Sequence, residues 1–158
     1  MSELRRRSNP ASDRLLLERF SNRIPGFNVR PQHLTDLDGL CDELDIEVVQ
    51  LPMRRLHGVA LEDGGFRYLY INRLLDGAEK VIAGFHEYCH LTSHSLNVAV
   101  FKSTGGLWNL DKYERQAQIV GTVALMPEPA IRHLSVEEIM REFSVSRRIA
   151  EFRFSFTI

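Results

Sequence analysis

Apolar and polar positions follow two rhythms along this chain, and the switches between them predict its elements. Thr35-Asp36-Leu37-Asp38 reads as a helix start, with Thr35 as the cap and acids suited to the first turn. Leu37, Leu40 and Leu44 then recur at helical spacing. Residues 46–51 are rich in β-formers and stop at Pro52, the pattern of a strand. The β-rich segments 57–61 and 66–71 flank Glu62-Asp63-Gly64-Gly65, and Asp-Gly between such segments predicts a hairpin. In its second strand Phe66, Tyr68 and Tyr70 share one face, and Arg67, Leu69 and Ile71 the other. From about 77 to 95 the period becomes helical. Ile82, Phe85, Cys89 and Leu96 gather on one side, and Val81, Tyr88 and Leu91 on another, so this helix is central and buried. Residues 97–110 read as a loop or short strand around Ser103-Thr104-Gly105-Gly106. A second helix follows over about 110–125, with Asp111 near its start and Pro127 past its end. Two short helices, 135–143 and 146–154, complete the chain.

Composition narrows this picture. A chain of 158 residues makes one domain, or one with a small appendage, and buries a core without disulfides or structural metal. A hydrophobic share of 44% with 26% charged residues excludes disorder and collagen-like character. No apolar run approaches the ~18 residues of a membrane span. The start, MSELRRRSNPASDR, is basic but lacks the apolar stretch of a secretory signal. Cys41 and Cys89 are few and far apart, which fits free thiols in a reducing cytoplasm. A net charge of -1 recruits neither nucleic acid nor an anionic membrane.

Residues 1–30 do carry seven Arg against three acids. They are dispersed and have no aromatics between them, so they read as the solvated face of a short helix near 13–21. The C-terminal helices superficially form a helix-turn-helix. Their four Arg are matched by four Glu, whereas DNA reading needs a basic face, so they read as a structural cap. The expected organisation is an N-terminal basic arm and helix over 1–34, then one domain over 35–158.

The chemistry sits in His86-Glu87-Tyr88-Cys89-His90, an HExxH on the central helix. Residues i and i+4 stand one above the other, so both imidazoles reach one ion. Glu87 projects about 100° round from His86 on a 3.6-residue wheel, beside the metal, where it can take a proton from a water held there. Zinc lowers the pKa of such a water toward ~7. On a buried helix the three polar groups would otherwise be costly. Cys89 lies on the apolar side and reads as core.

Catalytic zinc takes three protein ligands and keeps one position open. The metzincin pattern would need a His at position 96, and Leu96 excludes that class. Two candidates remain. His94 is one turn further along the same helix, but its azimuth is poorly aligned with His86. Glu114 lies on the next helix, and Ala117 and Gly121 share its side, which permits the close approach that a shared ion requires. Spacing alone leaves the choice open.

The sequence resembles the ImmA/IrrE-type zinc metallopeptidases. Their signature couples an HExxH to a helix of the form E-x-x-A-N-x-F-A-A-x-L-L-M-P. The chain has Glu114, Ala117, Leu125, Met126 and Pro127 at matching positions, and its Glu-to-Pro spacing matches without a gap. His86 to His94 fits the frequent continuation HELGHxLLH. Asp45-Ile46-Glu47-Val48, Gly58 and Tyr70-Ile71-Asn72 look like the family's strands, and Phe143-Ser144-Val145-Ser146 like its helix turn. Gln118 departs from the usual Asn, Val120 from Phe and Gly121 from Ala; one turn beyond Glu114, Gln118 is placed to hydrogen-bond to it.

The resemblance implies a zincin-like α+β fold: a small antiparallel sheet packed on the HExxH helix and a second zinc-ligand helix. It implies that His86, His90 and Glu114 bind Zn2+, with Glu87 as the general base. It implies a cytoplasmic endopeptidase whose target is a protein, typically a helix-turn-helix repressor of a mobile element or stress response, cleaved to relieve repression. The competing readings are a non-catalytic partner that sequesters a regulator, with zinc purely structural, and a hydrolase of small molecules. The retained Glu87 argues against a purely structural site. Tyr68, Tyr70 and His57 are candidates for stabilising the oxyanion. An extended substrate is expected to add to the 66–71 strand as a sheet edge, flanked by a mobile 102–108 loop.

Overall fold

A computed structural model describes residues 9–93 and 110–156. Its elements are α1 (Pro10–Arg23), α2 (Leu34–Glu43), β1 (Ile46–Leu51), β2 (Gly58–Asp63), β3 (Phe66–Asn72), α3 (Gly77–Ser93), α4 (Leu110–Leu125), α5 (Glu128–Ile131), α6 (Val136–Phe143) and α7 (Arg147–Phe154). This is the α+β class that the family resemblance implies. Helix α2 starts one residue before Thr35, and its cap position is His33, whose N–H donates to Asp36 at 2.8 Å. The acid in the first turn does the capping, and Thr35 lies within the helix.

The sheet corrects the expectation in one respect: it is mixed, with strand order β1-β3-β2. β2 and β3 pair antiparallel through Gly64-Gly65, whose φ values of 54° and 87° suit a two-residue hairpin. β1 runs parallel to β3, with Ile46 opposite Arg67 and Leu51 opposite Asn72. Residues 52–57 therefore arch over the end of β3 to reach its far side. Asn72, buried, holds that arch. Its Oδ1 accepts from the N–H of Met53 (3.1 Å) and of Leu74 (3.0 Å), and its Nδ2 donates to the carbonyls of Met53 and Leu56 at 3.0 Å each. The four bonds meet the carboxamide's full capacity at a place where no tight turn fixes the path.

The strand over 66–71 is therefore the centre of the sheet and not an edge, so no substrate can pair with it. Among the described residues the outer edges belong to β1 and β2. The buried face of the sheet carries Ala60, Leu69 and Ile71 and receives α3. A Cβ on Gly84 would lie 3.2 Å from Ile71 Cδ1 and 2.5 Å from Leu37 Cδ2, so only glycine lets α3 seat this closely on β3 and α2.

The main core joins both ends of the chain. Leu16, Leu17, Phe20, Ile24 and Phe27 from the N-terminal segment are buried in one cluster with Leu37, Leu69, Phe85, Cys89, Val120 and Phe156. The exposed side of α1 carries Arg14 and Arg19, the solvated face that the dispersed arginines predict. On its buried side Asp13 accepts a two-pronged contact from Arg115 at 2.7 and 3.0 Å, which ties α1 to α4. A second cluster unites Ile82, Met126 and Ile131 with Ile139, Val145 and Ala150 of the last two helices. Arg153, 1% exposed, donates from Nε to the Met126 carbonyl (2.8 Å) and from Nη2 to Glu128 (3.1 Å).

Candidate metal centre

The site is made by two helices crossing in close contact. Helix α3 is started by Asp76, whose carboxylate accepts the N–H of Glu79 at 2.8 Å. It runs to Ser93 with residues 81–85 and 87–91 buried. Helix α4 meets it through Ala117 and Gly121. A Cβ on Gly121 would lie 2.5 Å from the Ile82 carbonyl and 3.4 Å from His86 Cβ. The small-residue side of α4 thus brings Glu114, two turns earlier, to the face of α3 that carries both histidines.

There the donors converge. Nε2 of His86 and Nε2 of His90 are 3.3 Å apart. Glu114 places Oε2 at 3.3 Å from the first and Oε1 at 2.9 Å from the second. One ligand atom from each residue lies within 4.8 Å of the others, so the trio can hold a metal ion. The two 3.3 Å separations match donors of a tetrahedral zinc, which at ~2.0–2.1 Å from the ion stand about 3.3–3.4 Å apart; the 2.9 Å contact between Glu114 and His90 is at hydrogen-bond distance. Burial is graded: His90 is 1% exposed, the His86 side chain 13% and the Glu114 side chain 36%. One side of the trio is sealed and the Glu114 side is open to solvent, as a site with a free coordination position requires.

Glu87 stands beside the trio, buried, with Oε1 3.9 Å from His86 Nε2. Its outer neighbour is the first residue of β2. A Cβ on Gly58 would lie 2.8 Å from Glu87 Cγ and 2.9 Å from the Tyr70 carbonyl. Gly58 therefore lets the edge strand pass directly over the carboxylate. Sequence reading placed Gly58 in a strand but missed this contact. A glycine opening a β-rich segment was the available signal, because it marks close approach of another group.

The remaining candidates divide. Tyr68 and Tyr70 stack on one another with ring centroids 6.0 Å apart. They alternate with the buried Leu69 and Ile71, so they lie on the sheet face opposite α3, away from the metal trio. His57, exposed, immediately precedes Gly58 and accepts the Asn72 N–H on its carbonyl at 2.8 Å. Cys89 is fully buried in the core, as its place on the apolar side predicts. Gln118 corrects another expectation: its carboxamide meets Nδ1 of His86, at 3.2 Å, and not Glu114. His94 and the 102–108 loop lie outside the described residues.

Two imidazoles of an HExxH motif and a carboxylate from the next helix, with Glu87 alongside, form a group that could hold a metal ion. The sequence profile of the IrrE N-terminal-like domain, peptidase family M78, matches residues 41–155, and the chain belongs to that family. Membership supports a metallopeptidase-type function and implies a protein substrate. None of the curated proteins matches the chain significantly. Among the described residues, no helix is long and apolar enough to cross a membrane.

Proposed function

We propose that this protein is a zinc-dependent endopeptidase that acts in the cytoplasm on a protein target, a helix-turn-helix transcriptional repressor, and relieves repression by cutting it. The observation that carries the reading is the convergence of His86, His90 and Glu114, with donor atoms within 4.8 Å of one another and Glu87 beside them. Zinc, when bound, supplies Lewis acidity and acidifies a water toward a pKa of ~7.

The protein's own groups do the rest. Glu87 takes the proton of the attacking water on its carboxylate and returns it to the leaving amine. Its burial keeps competing water off that oxygen, and the narrow gap at Gly58 limits the rotamers open to it. The substrate lies extended along β2, whose outer edge is unpaired by any other described strand. Main-chain hydrogen bonds hold it there, and the scissile bond is drawn across Glu87. This replaces the 66–71 strand as the docking edge. His57, which precedes β2, remains the candidate for stabilising the oxyanion.

The test is co-expression with candidate helix-turn-helix repressors from the same genome. Wild type yields defined repressor fragments. Glu87→Gln keeps fold and zinc but loses ~10²–10⁴ of the cleavage rate, since the near-isosteric amide cannot accept a proton. A Glu87→Gln variant that relieves repression without cleavage would establish the sequestering partner instead.

A further inference from the structure

The contact between Gln118 and His86 has a chemical sense. Gln118 is four residues beyond Glu114 on α4, and its side-chain oxygen is 3.2 Å from Nδ1 of His86. The other ring nitrogen, Nε2, faces His90 and Glu114. A neutral imidazole has one proton for two nitrogens, and the hydrogen bond at one nitrogen decides what the other can do. A ring whose Nε2 carries the proton cannot ligate through it.

We propose that Gln118 is the positioning residue for His86. Its Oε1 accepts the Nδ1–H, which keeps the proton off Nε2 and fixes the ring plane so that the Nε2 lone pair points at the metal. The inference rests on the metal-centre reading and adds to it the residue that prepares one ligand. Glu114 and Gln118 share one side of α4, so a single helix face supplies both a ligand and the group that orients the ligand opposite. Gly121, one turn further, keeps that face close enough, with its Cα side against His86 Cβ and the Ile82 carbonyl. The position is selective for length. Asn would hold the same amide one methylene short of the ring, and Glu would present an acceptor oxygen at the same reach.

Zinc affinity of the full-length protein, measured by competition with a chromophoric chelator, tests this without reference to catalysis. Removing an outer partner of a metal ligand costs ~10–100-fold in affinity. Gln118→Leu, which keeps the bulk and removes the acceptor, should fall by that factor, and so should Gln118→Asn. Gln118→Glu should bind zinc at least as well as wild type. In the zinc-loaded wild type the His86 Hδ1 proton should give an NMR signal protected from solvent exchange, kept in Gln118→Glu and lost in the Leu and Asn variants. If Gln118→Leu misfolds, the Asn and Glu pair decides. Wild-type zinc affinity and a protected Hδ1 signal in Gln118→Asn would overturn the proposal and leave the metal centre standing. A wild-type protein that binds no zinc would instead remove the metal centre, and the proposal with it.

Discussion

His90 on the HExxH helix and Arg153 on the last helix are equally buried, each 1% exposed. Each sits in a sequence motif that suggests a function. Their surroundings differ in kind. Arg153 serves the fold: its guanidinium bonds to the Met126 carbonyl just past α4 and to Glu128 and lies 4.9 Å from the Phe156 ring centre. The helix-turn-helix-like pair is thereby locked onto the domain, and its buried arginine is not available to read DNA. His90 points its Nε2 to the same place as His86 Nε2 and Glu114. His86, His90 and Glu114 each bring one donor atom within 4.8 Å of the others. The comparison teaches that a motif gains meaning from what its buried polar atoms face. Polar atoms that satisfy one another's chain mark a cap, and donors aimed at a common centre mark a ligand site.

Arg115, the neighbour of Glu114, extends the comparison, since its ion pair with Asp13 is of the structural kind and fastens α1 to the ligand helix. A protein begun at residue 41, where the family match starts, loses this pair and six buried apolar side chains, Leu16, Leu17, Phe20, Ile24, Phe27 and Leu37. At ~1.5–3 kcal/mol for each buried side chain, the loss is as large as the whole ~5–15 kcal/mol of net stability of a typical domain. The expected outcome is an unfolded chain by circular dichroism. A cooperative thermal transition in the truncated protein would show that the N-terminal segment is an appendage.

Arg153→Leu should destabilise by about 3 kcal/mol, because it leaves Glu128 and the Met126 carbonyl without their buried partner. Denaturant unfolding measures this, and zinc affinity should be unchanged. Lost DNA affinity with unchanged stability would reverse the reading of this helix pair.

A smaller effect comes from Cys41, which has neither use. Burial, reinforced by Asp38 and Asp42, pushes its thiol up to about 12. The folded state therefore holds the proton where the unfolded chain gives it up. The stability from this group is complete below the ordinary thiol value near pH 9. It is lost as pH rises from there toward 12, at ~1.4 kcal/mol per pH unit. Burial raises the neighbouring Tyr88 hydroxyl as well, so Cys41→Ala should flatten but not abolish the alkaline slope in urea titrations.

The difference between local and distant information explains what the sequence could reveal. The HExxH pair was legible because i and i+4 are set by one helix alone. Glu114 depends on contact between helices, which the small side chains at Ala117 and Gly121 permit but do not fix, and only the resemblance to the family's E-x-x-A helix singles it out. The Gly-Gly turn made the β2–β3 hairpin legible. The parallel pairing of β1 was not, because residues 52–57 carry no turn signature and Asn72 anchors them from 15 or more positions away. The alternation of Tyr68 and Tyr70 with Leu69 and Ile71 was correctly read, but which face meets α3 depends on packing. The N-terminal helix drew notice for its arginines, while Leu16, Leu17 and Phe20, its core face, decide where it lies.

Metal analysis of three purified proteins tests the central claim most directly. The wild type should hold about one zinc per chain. Glu114→Ala should bind zinc at least ~10-fold more weakly, and His94→Ala should match the wild type. Unchanged zinc in Glu114→Ala, with loss in His94→Ala, would contradict the assignment of the third ligand and with it the helix pair as the centre of the site.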